Sequence, residues 1–158
     1  MKNRTSCNCQ SCQDACNHKP GWMKFGDEVI LAKFLKLSVK ELFEKHLLVV
    51  WWNDGEKDYF GLAPNIVGRN PGQMESYDPR GKCKFFEDGK CNIHSASPFE
   101  CQKYIHTDTR EMAVANKEEA AKSWDNDKAK ALITGLLGCK PEPVENDGSI
   151  NIFSMFNY

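Results

Sequence analysis

Cys83-Lys-Phe-Phe-Glu-Asp-Gly-Lys-Cys91-Asn-Ile-His-Ser-Ala-Ser-Pro-Phe-Glu-Cys101 is the stretch whose reading decides the fold. It spaces three thiols as C-x7-C-x9-C. Between the first two, Glu87-Asp-Gly-Lys90 is a hairpin turn, because Asp-Gly accepts the left-handed backbone that tight turns impose. Lys84-Phe-Phe86 and Asn92-Ile-His94 are then short paired strands that bring Cys83 near Cys91. Ser97-Pro-Phe-Glu100 predicts a helix start, with Ser97 as N-cap, Pro98 at the first helical position and Glu100 completing a capping box. Cys101 falls in the first turn of that helix, where the macrodipole is expected to lower its pKa and favour a thiolate ligand.

These thiols have a counterpart near the N-terminus. Cys7, Cys9, Cys12 and Cys16 crowd into ten residues. Side chains so close in sequence seldom meet the separation and dihedral of a disulfide, whereas dense thiols suit a metal centre. Cys9 and Cys12 fit one turn around an ion, and Cys16 lies one helical turn further on. The candidate metal ligands are therefore Cys9, Cys12, Cys16, Cys83, Cys91 and Cys101, with Cys7 as a further ligand or a bystander. Four histidines are read first as packing, helix-end or surface residues. For His18, His94 and His106 ligation is the alternative, the last two through the mixed set Cys91-x2-His94-x6-Cys101-x4-His106. His46 reads as a helix-end residue.

The composition is that of a soluble globular protein: 158 residues, 41% hydrophobic and 27% charged, enough for one domain with a modest core. A net charge of -1 gives no general phosphate-binding surface, so nucleic acid is not an expected partner. The basic N-terminus lacks the apolar run of a secretory signal, and Leu47-Leu-Val-Val-Trp-Trp52 is far shorter than the roughly 20 residues of a membrane helix. No membrane association and a cytoplasmic location are expected. There eight cysteines stay reduced and hold metal. If a leader has been removed, four disulfides are the alternative.

Along the chain, Lys19-Pro-Gly-Trp-Met23 is a turn that sets Trp22 to shield the thiol cluster. From Asp27 to Leu35, Val29, Ile30, Phe34 and Leu37 recur at helical spacing and predict an inward apolar face, opposite Lys33 and Lys36. Ser38-Val-Lys-Glu41 is a capping box opening a second helix to about His46, which completes a helical hairpin. Leu48–Trp52 and Tyr59–Leu62 read as strands, with Trp51 and Trp52 on opposite faces and one of them in the core. Residues 63–81 form a long loop delivering Cys83. Two helices follow, at about Thr109–Ala121 and Asp127–Leu137, the second ended by Gly138, with Trp124 anchoring the pair. Asn146-Asp-Gly-Ser149 is a turn before the apolar segment Ile150–Phe156, which is aromatic enough to dock.

The two cysteine blocks resemble the YkgJ-type CxxCxxxCC cysteine-cluster family, described as zinc- or iron-chelating domains. Its early block falls on Cys9, Cys12 and Cys16, and its later block on Cys83, Gly89, Cys91, Ile93, His94, Pro98 and Cys101. Asn17 stands where the family has a second adjacent cysteine, Ala96-Ser97-Pro98 where Arg-Pro is common, and Cys7 and Cys139 are additional. The resemblance covers about 7–104 and implies a metal and a fold class rather than a reaction. The expected architecture is α+β. It is one domain over 1–158, with a helical hairpin, short β-hairpins and a helical C-terminal extension over 105–158, packed around a cysteine-rich metal site.

Six family-type cysteines exceed the four ligands of a zinc ion or of one cubane, so extra thiols or a second centre must be accommodated. Soft ligands at this density favour an iron-sulfur cluster, 4Fe-4S first, in an accessory, electron-transfer or redox module with a protein partner. The alternative is a zinc ion in a structural or protein-interaction module. No glycine-rich phosphate loop, Gly-x-Ser-x-Gly elbow or His-Glu-x-x-His helix occurs, so catalysis would rest on the metal.

Overall fold

An antiparallel pair, β1 (Leu47–Asn53) and β2 (Asp58–Pro64), is the centre about which the helices pack. The computed structural model describes residues 10–75, 80–104 and 107–144, apart from the Cys12 side chain. Leu47, Leu48, Val49 and Val50 are all buried, because the pair is covered on both faces and its alternating side chains enter two different cores. Leu47, Val49 and Leu62 meet Leu31, Leu42 and Phe43 on one side. Leu48, Val50 and Ala63 meet Trp22, Ala120 and Ala121 on the other. The connecting turn is held by Asp54, whose Oδ1 accepts from the Glu56 and Lys57 amides at 2.9 and 2.8 Å.

Among the described residues the architecture is mixed α+β, with six helices and two small antiparallel hairpins. The helices are α1 (Gln10–His18), α2 (Asp27–Leu35), α3 (Val39–His46), α4 (Phe99–Lys103), α5 (Arg110–Lys122) and α6 (Asp127–Leu137). The second hairpin is β3 (Phe86–Glu87) with β4 (Lys90–Cys91). No helix among the described residues is long and apolar enough to cross a membrane.

Helices whose caps are local sequence signals begin where those signals stand. Ser38 and Glu41 form the reciprocal capping box of α3, Thr109 accepts from the Met112 amide at α5, and Asn126 accepts from the Ala129 amide at α6. Gly138 ends α6 at φ 77°, a left-handed conformation that glycine takes without strain.

α2 spans Asp27–Leu35 as its periodicity predicts, but it turns the other face inward. Val29, Ile30 and Phe34 are 57%, 53% and 46% exposed, while Glu28, Leu31 and Ala32 are buried. The polar anchors decide the rotation. Asp27 Oδ2 accepts from the Lys24 and Phe99 amides, both at 2.9 Å, and a Glu28 oxygen accepts from the Gly26 amide at 2.8 Å. These bonds point the 27/28/31/32 stripe inward. Burial raises both carboxyl pKa values, against the lowering effect of those amides.

Neither tryptophan of β1 enters the core: Trp51 and Trp52 are both half-buried, and Trp52 stacks on Tyr59 with ring centroids 6.0 Å apart. The buried tryptophans are Trp22 and Trp124. Trp124 Nε1 donates to the Met23 carbonyl at 2.7 Å and its ring meets Phe25 edge-on, tying the α5–α6 corner to the turn before α2. Gly61 makes room for both rings: a Cβ there would lie 2.8 Å from Trp124 and 2.9 Å from Trp22. We therefore expect Gly61→Ala to cost about 1–3 kcal/mol through overpacking, read as a lower urea midpoint at unchanged slope. An unchanged midpoint would mean that these rings shift freely.

Candidate metal centre

The end of a helix leaves carbonyls without intrahelical partners, and α1 uses them to dock the loop that carries Cys83. The Cys83 amide donates to the Cys16 carbonyl at 3.0 Å, and the Gly81 amide donates to the His18 carbonyl at 2.7 Å. On the other side of this loop, the Lys84 amide donates to Asn65 O at 2.9 Å and the Val67 amide to Lys82 O at 2.9 Å. Cys16 and Cys83 are thus joined through backbone hydrogen bonds.

Cys91 arrives on the short hairpin, opposite Phe86, whose amide donates to the Cys83 carbonyl at 3.1 Å. Asp88 and Gly89 make the turn at φ 51° and 74°. The predicted Asp-Gly turn therefore forms, but the paired strands are shorter than expected, and Cys83 lies just before them rather than on one.

Cys101 is the third residue of α4, and the capping expected there does not form. Ser97 Oγ instead donates to the His94 carbonyl at 3.0 Å, and Pro98 occupies the N-cap without a side-chain bond. The exposed amide of Phe99 is taken by Asp27, which is distant in sequence. Glu100 reaches the 19–23 turn: its Oε2 accepts from the Trp22 amide at 3.0 Å, its own amide donates to Trp22 O at 3.1 Å, and its Oε1 pairs with Lys19 Nζ at 3.3 Å. Against this clamp, Gly21 closes on the thiol. A Cβ at Gly21 would stand 2.5 Å from Cys101 Sγ and 2.9 Å from its amide nitrogen. Gly21 makes this contact, whereas the Trp22 ring expected to shield the thiols belongs to the core cluster of Leu48 and Val50.

Cys83 and Cys101 lie within electrostatic reach of each other and of Cys16 and Cys91. Burial pushes Cys83 up to about 12, and the neighbouring Cys91 and Cys16 add to the rise. Cys101 keeps some exposed surface, yet burial is the largest cause lifting its pKa well above the ordinary thiol value, followed by Cys83, Glu100, Cys16 and Cys91. The lowering expected from the α4 dipole is overturned, because a five-residue helix offers little dipole against desolvation and three other thiols. Among the described residues, no three His, Cys, Asp or Glu side chains are grouped so as to hold a single metal ion.

The other candidates scatter. Cys7, Cys9 and His106 lie outside the described residues, and Cys12 lies in α1. Cys139 is exposed beyond α6 and contributes to neither raised thiol. His18 is exposed at the end of α1, and His94 sits in the 3-10 turn before α4. His46 packs on Phe85 with centroids 5.4 Å apart; burial first, then Lys84 and Lys45, lowers its pKa. Gly21, Asp27 and Glu100 were not singled out for the site by their spacing; the Pro-Gly pair is their nearest sequence signal, and it reads only as a turn.

Two outcomes follow from this geometry. Gly21→Ala forces Cys101 or the turn to move, and we expect a loss of about 1–3 kcal/mol in stability together with faster reaction of Cys101 with a thiol reagent. Unchanged alkylation of Cys101 would show that the contact is dispensable. In the metal-free chain, the folded Cys83 pKa lies above its unfolded value, so its neutral form stabilises fully below about pH 9. That contribution is lost as pH rises toward about 12. Urea midpoints should fall over this range, and less steeply in Cys83→Ala; parallel curves would contradict the assignment.

Comparison of the chain with protein-family models, with curated proteins and with solved structures found no match.

Proposed function

We propose that the chain is a thiolate metal-binding protein, similar to the YkgJ-type cysteine-cluster family, that holds an iron-sulfur cluster and serves as an accessory, electron-transfer or redox module. The observation that carries this reading is the convergence of Cys16, Cys83, Cys91 and Cys101 from α1, the 81–84 loop, the hairpin and α4. Four thiols gathered at one place would repel one another once ionised, and a bound cation compensates for that ionisation. The donor set is soft, and four is the number of ligands that one cubane takes.

The chain's own residues explain how such a group would be held. Cys16, Cys83, Cys91 and Cys101 are the proposed ligands, and Cys7, Cys9 and Cys12 are the candidates for additional or exchanging ligands. Bound there, a 4Fe-4S cluster supplies one-electron transfer, with a potential set by burial and hydrogen bonds to its sulfurs. Asp27 and Glu100 fix α4, and Gly21 packs closely against Cys101. Because the raised pKa values keep Cys83 and Cys101 protonated at neutral pH, loading releases protons and tightens as pH rises. We place the protein in a reducing compartment, the cytoplasm, with another protein as its electron or assembly partner.

Zinc is the second reading, favoured by the same count of four, which closes a tetrahedral structural site. A lone zinc draws its sulfurs to about 2.3 Å from one point. Among the described residues no such grouping is present, and the two readings are separated by metal analysis.

Anaerobic purification with metal and sulfide analysis separates these readings. Brown protein carrying iron and sulfide is expected, with Cys91→Ser and Cys101→Ser each losing colour and stability because binding energy at such a site is also folding energy. Cys139→Ser should keep both. Colourless protein with about one equivalent of zinc selects the second reading, and protein that takes up neither metal refutes both.

A further inference from the structure

β1 has a second neighbour besides β2. The Val49 amide donates to Gln73 O at 3.0 Å, the Glu75 amide donates to Val49 O at 2.7 Å, and Met74 pairs with Val49 in parallel. In this pattern the backbone groups of Gln73 and Glu75 face β1, so those of the intervening Met74 face away. Among the described residues the Met74 N–H and C=O form no hydrogen bond. Met74 lines a groove of about 410 Å³ with Gln73, Leu137, Pro141 and Val144, beside the charged Lys140 and Glu142.

An unpaired strand edge beside a groove with apolar side chains in its lining is a site for an added strand. We propose that its occupant is the chain's own segment Ile150–Phe156, which pairs with the 73–75 edge and lays its side chains against Met74, Leu137 and Val144. Three observations select this segment. Val144 is itself a wall of the groove, so the chain leaves from the groove's rim. Five residues, Glu145 to Ser149, separate it from Ile150; they span at most roughly 17 Å and include the turn-forming Asn146-Asp-Gly. That short tether gives the segment an effective concentration on the order of millimolar at the groove. Finally, Ile150-Asn-Ile-Phe-Ser-Met-Phe156 is rich in residues that suit a half-buried strand. The groove is thus a self-occupied peptide site, and a partner with a similar extended apolar segment would have to displace the chain's own. This inference does not depend on the metal.

Hydrogen exchange of the Met74 amide in the full chain tests the proposal. Successive N–H groups of a strand point to opposite sides, so Ile152→Pro and Phe153→Pro together remove a donor in either register without touching the packed domain. We expect the Met74 amide to exchange at least about tenfold more slowly in the unaltered chain than in one of these variants. Equal rates in all three proteins would overturn the proposal. So would protection that disappears on dilution as light scattering shows dimer giving way to monomer, since the groove would then hold the segment of a second copy.

Discussion

Glu100 and Asp27 together make the join on which the cysteine arrangement depends. α4 is only five residues long and has no cap of its own, so its position is not fixed by anything within the stretch from Cys83 to Cys101. It is fixed by carboxylates: Asp27 takes the Phe99 amide, while Glu100 bridges to the Trp22 amide and to Lys19. A charged acceptor on a backbone amide is stronger than a neutral one, and these acceptors are partly shielded from water. The same bonds orient α2 and press Gly21 onto Cys101. One polar junction therefore sets the rotation of a helix, the placement of a thiol and the absence of a side chain between them.

The apolar core and the thiol site adjoin, but different interactions build them. The core is built on the β1–β2 pair, whose two faces bury different sets of side chains, with Trp22 and Trp124 meeting across Gly61. Cys83 is buried in the first of these clusters, and Cys16 and Cys91 pack against it. The thiols are instead gathered by backbone hydrogen bonds at the end of α1 and along residues 81–86. Such bonds hold distant main-chain segments side by side, which leaves their thiols within electrostatic reach even though thiolates repel one another.

Exposed apolar residues remain on α2, where Val29, Ile30 and Phe34 lie around Lys33. The predicted inward face failed there because periodicity reports which residues share a side of a helix, not which side turns inward. Two stripes of α2 satisfy the helical period. The one chosen, from Glu28 through Leu31 and Ala32, carries the carboxylates that have backbone partners, and leaving those amides unpaired would cost more than exposing a few aliphatic groups.

The sequence by itself determined the elements whose signals are local: the bounds of α2, α3 and α6, the capping box at Ser38, the hairpin of β1 and β2, the turn at Asp88-Gly89 and the helix stop at Gly138. Each rests on hydrogen bonds or dihedral preferences within a few residues, which spacing and residue type encode. It also named Cys16, Cys83, Cys91 and Cys101 as candidate ligands, alongside Cys9 and Cys12 and with Cys7 as a further one. Only the tertiary structure decided that these four approach one another, that Cys139 stays apart, that Ser97 does not cap α4, and that the Cys101 pKa rises rather than falls. Those outcomes depend on burial and on partners tens of residues away, and no local pattern records desolvation or a carboxylate borrowed from another helix.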